Sequence, residues 1–119
     1  MTRSTRRVAA SAPTMAAAMA AQAELAADLL KAMAHPQRLR VLCLLVEGER
    51  SVGEINLDIE LSQSALSQHL AKLRDEGLVA TRKEAQTVFY SLAAGPALEV
   101  IRTLHDVYCP GTTPARICS

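Results

Sequence analysis

The side chains with the widest range of chemistry in this sequence belong to three cysteines, Cys43, Cys109 and Cys118. A cysteine can act as a nucleophile, as a metal ligand or as half of a reversible disulfide, and its neighbours decide which. An odd number of cysteines, without the spacing of a secreted framework, argues against structural disulfides and for a reducing compartment. We therefore interpret them as reactive or incidental thiols rather than structural links.

One of these cysteines has neighbours of metal-ligating type. His105 and Cys109 are four residues apart, which is one helical turn, and Asp106 is three residues from Cys109. Zinc, nickel or cobalt accepts such ligands, but a structural site needs four and this segment offers three. We therefore expect no bound metal and no other cofactor, and interpret His105 as a surface or interface histidine. A metal-responsive site at His105, Asp106 and Cys109 stays the alternative.

A cysteine and a histidine could also serve a thiol enzyme. The sequence has no C-x-x-C redox motif, no G-x-S-x-G nucleophile elbow and no glycine-rich phosphate loop. A chain of 119 residues, half of them hydrophobic, can bury a small core but leaves little room for a substrate cleft. We therefore expect a protein that is not an enzyme.

The elements that must position these residues are mainly helices. Residues 15–34 are rich in alanine, leucine and methionine and predict a long first helix. Pro36 suits the first turn of a second helix over about 36–46, which is apolar on nearly every face and is therefore expected at the centre of the domain. Ser51 and Glu54 form a capping-box pattern, which predicts the start of a short third helix.

A fourth helix follows from a second capping signal. Ser62 is a preferred N-cap, and Leu66, Leu70 and Leu73 recur at the spacing of one buried helical face. Gly77 can take the left-handed conformation that ends a helix in a Schellman motif. The pattern predicts a helix from Ser62 to about Glu76.

A hairpin and a last helix complete the chain. Residues 79–84 and 87–92 have the alternation of two strands, although the intervening Ala85-Gln86 lacks the glycine or asparagine usual in the tightest turns. Gly95-Pro96 predicts the start of a last helix over about 96–109. The expected fold is mainly α with a small β-hairpin wing, a winged helix-turn-helix of order α-α-α-α-β-β-α.

This order of elements points to DNA. A short helix, a tight turn and a longer helix form a helix-turn-helix, whose second helix lies in the major groove. The exposed side of the fourth helix carries hydroxyl and amide groups suited to base edges and phosphates, and the hairpin adds basic residues. The expected DNA contacts are Ser62, Gln63, Ser64, Ser67, Gln68, His69, Lys72, Arg82 and Lys83.

Charge restricts any DNA contact to a local patch. The net charge is +1, but Arg3, Arg6 and Arg7 lie in an acid-free N-terminal segment, and the remainder holds 10 basic against 12 acidic residues. No stretch is apolar over the roughly 20 residues that a membrane span needs, and the alanine-rich run near the N-terminus only loosely imitates a signal peptide. We expect a cytoplasmic protein without a membrane partner.

Three sequence motifs resemble one known family. The stretches LLKAMAHPQRLRVLCLL, LSQSALSQHLAKLRDEGLV and TRKEAQTVFYSL resemble the second-helix entry, the recognition helix and the wing of the ArsR/SmtB winged-helix repressors. The resemblance implies an obligate homodimer with the first and last helices at its interface, bound to an inverted-repeat operator in double-stranded DNA. We expect residues 1–14 to be a flexible basic tail, 15–109 the DNA-binding and dimerisation domain, and 110–119 a C-terminal tail.

Family members differ in the signal that releases them from DNA. Residues 52–58 contain no cysteine, so the C-x-C site of the arsenic-, cadmium- and lead-responsive type is absent. The segments RLRVLCLLVEG and LHDVYCPG instead resemble the sulfide-responsive, BigR/SqrR-like branch. That resemblance implies that Cys43 and Cys109 are sensor thiols, which a persulfide or polysulfide joins within one subunit. Cys118 has no counterpart in this pattern. A zinc-, nickel- or cobalt-responsive repressor and a general redox or peroxide sensor remain alternatives.

Overall fold

Five helices and three short strands form the part of the chain that the structure describes, residues 14–111 of a computed structural model. The elements are α1 (Met15–Met33), α2 (Pro36–Glu47), β1 (Arg50–Ser51), α3 (Val52–Asp58), α4 (Gln63–Asp75), β2 (Val79–Glu84), β3 (Thr87–Leu92) and α5 (Ala97–Tyr108). Residues 1–13 and 112–119 lie outside the described residues, and with them Cys118 and most of both predicted tails. The predicted winged helix-turn-helix is confirmed.

Side chains at the helix starts explain why the helices begin where they do. The Ser51 hydroxyl accepts the Glu54 N–H at 3.2 Å while the Glu54 carboxylate accepts the Ser51 N–H at 2.8 Å, which completes the predicted capping box. The Ser62 hydroxyl accepts the Ala65 N–H at 3.1 Å and caps α4. His35 caps α2 through Nδ1, which accepts a backbone N–H.

The end of α4 shows the predicted Schellman motif. Gly77 has φ +76°, and its N–H donates to the Arg74 carbonyl at 2.9 Å. The Leu78 N–H donates to the Leu73 carbonyl, also at 2.9 Å. These two bonds satisfy carbonyls that the helix leaves open and turn the chain sharply into β2.

Helix α2 lies at the centre of the core, as its all-round apolar sequence predicts. It packs against α1, α4, α5 and β3, and its middle residues are buried. The stripe Leu66, Leu70 and Leu73 of α4 is buried, with almost no exposed surface. One apolar helix therefore supports both the helix-turn-helix and the last helix. None of the helices within residues 14–111 combines the length and apolar character needed to cross a membrane.

The sheet has one more strand than the sequence predicts. β1 pairs with β3, with Arg50 opposite Tyr90 and Ser51 opposite Phe89, and β3 pairs with β2, so the order is β1-β3-β2 and all pairs are antiparallel. The predicted order of elements does not include β1. A strand of two residues is too short to show alternation, and only its distant partner β3 defines it.

Candidate nucleic-acid interface and thiol cavity

Helix α4 has an apolar face and, on its opposite side, a polar face. Its leucine stripe is buried, while the hydroxyl, amide and lysine side chains on the other side are exposed. The exposed members of the predicted contact set on this helix and at its cap are Ser62, Gln63, Ser64, Ser67, Gln68 and Lys72. Because the N-cap bond uses only one of the first N–H groups, other donors at this end can meet an anion.

His69 differs from the rest of the predicted contacts on α4. It is half-buried, and its ring centroid lies 4.4 Å from that of His35, tilted by 47°. The pKa of His69 is lowered, first by desolvation on burial and then by the charges of His35 and Arg38. The side chain therefore contacts the start of α2 in this structure, at the edge of the exposed face.

A cleft joins the helix-turn-helix to the wing. It has a volume of about 480 Å³. Its walls come from the start of α3, from α4 and from the tip of the hairpin, and they include Gln63, Ser67, Gln86 and Thr87. Sequence reasoning missed Gln86, in the two-residue hairpin turn, and Thr87, which follows it at the start of β3; their position at the tip of the hairpin was the available signal. We call the exposed face of α4 together with this wing tip the reading surface.

The guanidinium of Arg82 is already engaged by carboxylates. Its Nε and Nη2 each donate to Glu49 at 2.8 Å, its Nη1 donates to Glu84 at 3.0 Å, and its Cζ lies 4.5 Å from the centroid of the Phe89 ring. The hydrogen bond with Glu49 raises the pKa of Arg82, and the same bond lowers that of Glu49. A phosphate would have to compete with two carboxylates for this side chain.

Lys83, the next residue of β2, has different surroundings. It is exposed and has no ion pair within the described range 14–111. Successive residues of a strand point to opposite sides, so Lys83 is directed away from the Arg82 cluster. Lys72 of α4 is less strongly paired than Arg82 but is not without a carboxylate nearby, since its Nζ lies 3.7 Å from Glu76.

The two predicted sensor cysteines line the same cavity. Cys43, 7% exposed, lies in α2, and Cys109 caps the C-terminal end of α5. The cavity has a volume of about 180 Å³. Its remaining walls are Leu39, Ile101, Leu104, His105 and Tyr108. Two cysteines that are 66 positions apart in sequence are thus brought to one small, mainly apolar space.

His105 also lines this cavity and is not a surface residue. It is 5% exposed, so the surface half of the prediction of a surface or interface histidine was wrong, and the interface half stays a prediction. The reason is its place on α5, four residues after buried Ile101 and eight after buried Ala97, which is the spacing of one helical face. Its Nδ1 lies 3.4 Å from the carboxylate of Asp106, which is 80% exposed.

The metal alternative has little geometric support within one subunit. Across residues 14–111, no three histidine, cysteine, aspartate or glutamate side chains are grouped so that they could hold one metal ion. His105 and Cys109 share the cavity, but Asp106 is largely exposed to solvent. A single-chain site at these three residues therefore lacks the arrangement that the sequence spacing alone allows.

A capped helix-turn-helix, a polar exposed second helix and a β-hairpin wing define a DNA-binding regulator of the winged-helix class. Residues 35–81 match the family model described as bacterial regulatory protein, arsR family. The chain belongs to this arsR family of regulators. Its relatives are named as transcriptional regulators, which supports a role on DNA rather than in catalysis.

Individual relatives agree over most of the described chain. The transcriptional activator HlyU of Vibrio cholerae is 60% identical over 81 residues, which is 68% of this chain and 75% of HlyU. The solved structure of reduced HlyU from Vibrio cholerae has a TM-score of 0.72 at 56% identity, covering 76% of this chain and 96% of that one. The repressor BigR of Xylella fastidiosa has a TM-score of 0.76 at 40% identity, with 81% and 98% covered.

Proposed function

We propose that this chain is a cytoplasmic transcriptional repressor that leaves its operator when a persulfide or polysulfide links Cys43 to Cys109. The observation that carries this proposal is the shared cavity, which both cysteines line. A covalent link needs sulfurs that can approach each other, and two cysteines on opposite sides of the domain could not meet without unfolding it. The similarity to BigR, named as a transcriptional repressor, supports the repressor role.

The proposed chemistry balances in two thiol exchanges. A cysteine thiolate attacks the outer sulfur of a persulfide RS–SH, so that a Cys–S–SH forms and RS⁻ leaves. The second thiolate then attacks the cysteine sulfur of that group, which forms the Cys43–Cys109 disulfide and releases HS⁻. When the donor is a polysulfide, the first product carries one more sulfur, and the second attack leaves a trisulfide bridge and again releases HS⁻.

Helix α2 offers the route from the bridge to DNA. It carries Cys43 and packs against both α5, which ends at Cys109, and α4, whose exposed side belongs to the reading surface. A link between α2 and α5 restrains how these helices sit against α4. Because half-sites in an operator have fixed spacing, a small displacement of α4 weakens specific binding.

A homodimer on an inverted repeat completes the proposal, with residues 15–109 as its DNA-binding and dimerisation domain. Helix α1 exposes Met15, Met19 and Leu25, and the end of α5 exposes Val107 and Tyr108. Large apolar side chains at both ends of the chain are the kind of surface that a second copy covers. Two reading surfaces then engage two half-sites through the exposed predicted contacts at and on α4, and Lys83 of each wing adds a phosphate contact.

The experiment measures operator binding of the reduced full-length chain before and after treatment. Sodium polysulfide is expected to weaken binding at least tenfold, and peptide mass spectrometry should find Cys43 joined to Cys109. Cys43→Ser and Cys109→Ser should stay on DNA under the same treatment. Cys118→Ser is the matched control and should respond like the native protein.

Two results would contradict the proposal. One is a bridge between Cys43 and Cys118, together with loss of the response in Cys118→Ser. The other is release by zinc, nickel or cobalt alone, which would leave the metal-responsive alternative. Release by hydrogen peroxide at equal or lower concentration than polysulfide would instead identify a general redox sensor.

A further inference from the structure

His105 is the buried ionisable side chain that the proposed sulfur chemistry does not yet use. Among residues 14–111 it is the polar or charged residue with the least exposed surface, and it lies in the wall of the cavity that both cysteines share. Burying an imidazole among leucine and isoleucine side chains costs stability unless the ring is engaged.

The backbone fixes His105 relative to Cys109. The two residues are one helical turn apart on α5, and the Cys109 N–H donates to the His105 carbonyl at 2.7 Å. Side chains separated by four residues lie on the same side of a helix. Both residues line the cavity of about 180 Å³, so the imidazole and the Cys109 thiol share a small space.

We propose that His105 accepts the proton of the Cys109 thiol, so that Cys109 makes the first attack on the sulfur donor. This inference rests on the proposed function and adds a residue to it. A thiolate is the nucleophile in sulfur exchange, and an apolar cavity on its own keeps a thiol protonated. An imidazole that takes the proton leaves a paired thiolate and imidazolium, which the cavity tolerates better than a lone charge.

The proton balance is complete within the cavity. The proton passes from the Cys109 sulfur to the His105 ring, and the thiolate attacks the outer sulfur of the persulfide RS–SH. The S–S bond breaks, and the leaving RS⁻ takes the proton back from the imidazolium as RSH. No oxidant beyond the sulfur donor is needed, and His105 is ready for the second exchange at Cys43.

The groups described next to the ring come from two helices. On α5 they are Asp106, whose carboxylate lies 3.4 Å from Nδ1, and Tyr108 and Cys109, which share the cavity wall. On α2 the cavity wall contributes the side chain of Cys43.

The test is the pH dependence of thiol reactivity in the full chain, with His105→Gln compared with the native protein. Iodoacetamide is the first probe, and its reaction at Cys109 is followed by peptide mass spectrometry. At pH 7 the variant should react about tenfold more slowly, because general-base help commonly contributes tenfold or more. As the pH is raised, hydroxide ionises the thiol without help from the ring, so the two rates should converge.

Controls separate proton transfer from packing. His35→Asn changes a histidine outside the cavity and retains a side chain that can cap α2, so its rate profile should match the native one. A packing defect would change the rate by a similar factor at every pH, and this result would overturn the inference. If His105→Gln melts at a markedly lower temperature, His105→Asn provides a second variant under the same criterion.

Sodium polysulfide is the second probe and distinguishes the two proposals. In one outcome, polysulfide forms the Cys43–Cys109 bridge in the native protein, but the iodoacetamide profile of His105→Gln matches the native one. The proposed function would then stand, and the role of His105 would be overturned. In the other outcome, polysulfide forms no bridge in the native protein, but the iodoacetamide profile does change in His105→Gln. The proposed function would then be overturned, and the role of His105 as proton acceptor would remain.

Discussion

The reading surface and the thiol cavity are built in opposite ways. The reading surface is exposed and polar, and residues close in sequence position its helix. Ser62 caps the start of α4, and the Schellman bonds at Gly77 close its end. The cavity is mainly apolar and partly open to solvent, and its two cysteines come from helices distant in sequence. Local hydrogen bonds therefore place the residues that would contact DNA, while tertiary packing places the residues that would sense a signal.

Helix α2 is the element that these two regions share. It packs against α4 under the reading surface and against α5 beside the cavity. A regulator needs such a shared element, because two sites are coupled only if one structural change alters both. The predictions below test this division, starting with the shared core and ending with the weakest interaction.

The largest expected effect comes from cutting a side chain in the middle of α2. Leu42 has no exposed surface. Leu42→Ala should lower the free energy of unfolding by about 3 kcal/mol, since it removes buried methyl groups and leaves a cavity. Leu57→Ala, at an 82% exposed leucine of α3, is the matched control and should change it by less than ~0.5 kcal/mol.

Urea denaturation of both variants measures the difference. Leu42→Ala should also weaken operator binding and change the reactivity of Cys43 when studied near its unfolding midpoint, because one helix supports both regions. If the free energy of unfolding falls by the same small amount in Leu42→Ala and Leu57→Ala, α2 is not the core element that both regions share.

The second prediction separates two adjacent cations of the wing. Lys83→Ala should weaken DNA binding several-fold and flatten its salt dependence by about one unit, as expected for one lost phosphate contact. Arg82→Ala should leave the salt slope nearly unchanged, because Glu49 and Glu84 already hold that guanidinium. Fluorescence anisotropy across a salt series gives both slopes.

The sequence alone predicts an equal contribution from Arg82 and Lys83, so this measurement tests what the structure adds. If both variants flatten the slope equally, the ion pairs of Arg82 must open when DNA binds. Glu49→Gln would then bind DNA more tightly than the native protein, because it removes a competitor for the phosphate.

Features defined by nearby residues were predictable from the sequence. The capping box at Ser51, the Schellman motif at Gly77 and both strands of the wing follow from patterns within a few positions. The features that sequence reasoning missed depend on distant partners. β1 exists because Arg50 pairs with Tyr90, Arg82 is neutralised by Glu49, and such pairs leave no mark within either segment.

The candidate site divides in the same way. The exposed residues of α4 follow from the helical periodicity, so their position was predictable. The meeting of Cys43 and Cys109 was expected only from a family resemblance, because helix packing decides it. The burial of His105 could have been inferred from its spacing after Ala97 and Ile101, but a single histidine on an apolar face does not by itself indicate a role.

A smaller effect is expected at the turn of the wing. Ala85 has φ +56°, a left-handed conformation that costs an alanine about 1–2 kcal/mol relative to glycine. Ala85→Gly relieves this strain but increases the freedom of the unfolded chain by about 0.5–1 kcal/mol. The net expectation is a stabilisation of about 0.5 kcal/mol, measured by urea denaturation.

Ala80→Gly provides the control for this turn. Ala80 is exposed in β2 and has no left-handed backbone, so the glycine brings only the entropic cost and should destabilise the protein. If both glycine variants destabilise the protein equally, the strain at Ala85 is absent in solution. The comparison also shows whether the wing tip of the reading surface is rigid enough to influence DNA affinity.

The smallest effect concerns pH and the half-buried ring of His69. Its pKa is depressed in the folded state, chiefly by desolvation, so below the ordinary histidine value of about 6.5 the unfolded chain binds the proton more readily. The contribution to stability is therefore present above that pH and is lost as pH falls through the lower folded-state pKa. His69→Gln should make the free energy of unfolding fall less steeply between neutral and mildly acidic pH.

Salt distinguishes the causes of this pKa shift. Desolvation persists at high ionic strength, whereas repulsion from His35 and Arg38 is screened. The difference in pH dependence between His69→Gln and the native protein should therefore remain in 0.5 M salt (about 4 Å of Debye length). Its disappearance would mean that charge repulsion, and not burial against α2, sets the protonation of this ring, and that α4 is held less closely to the shared core than the structure indicates.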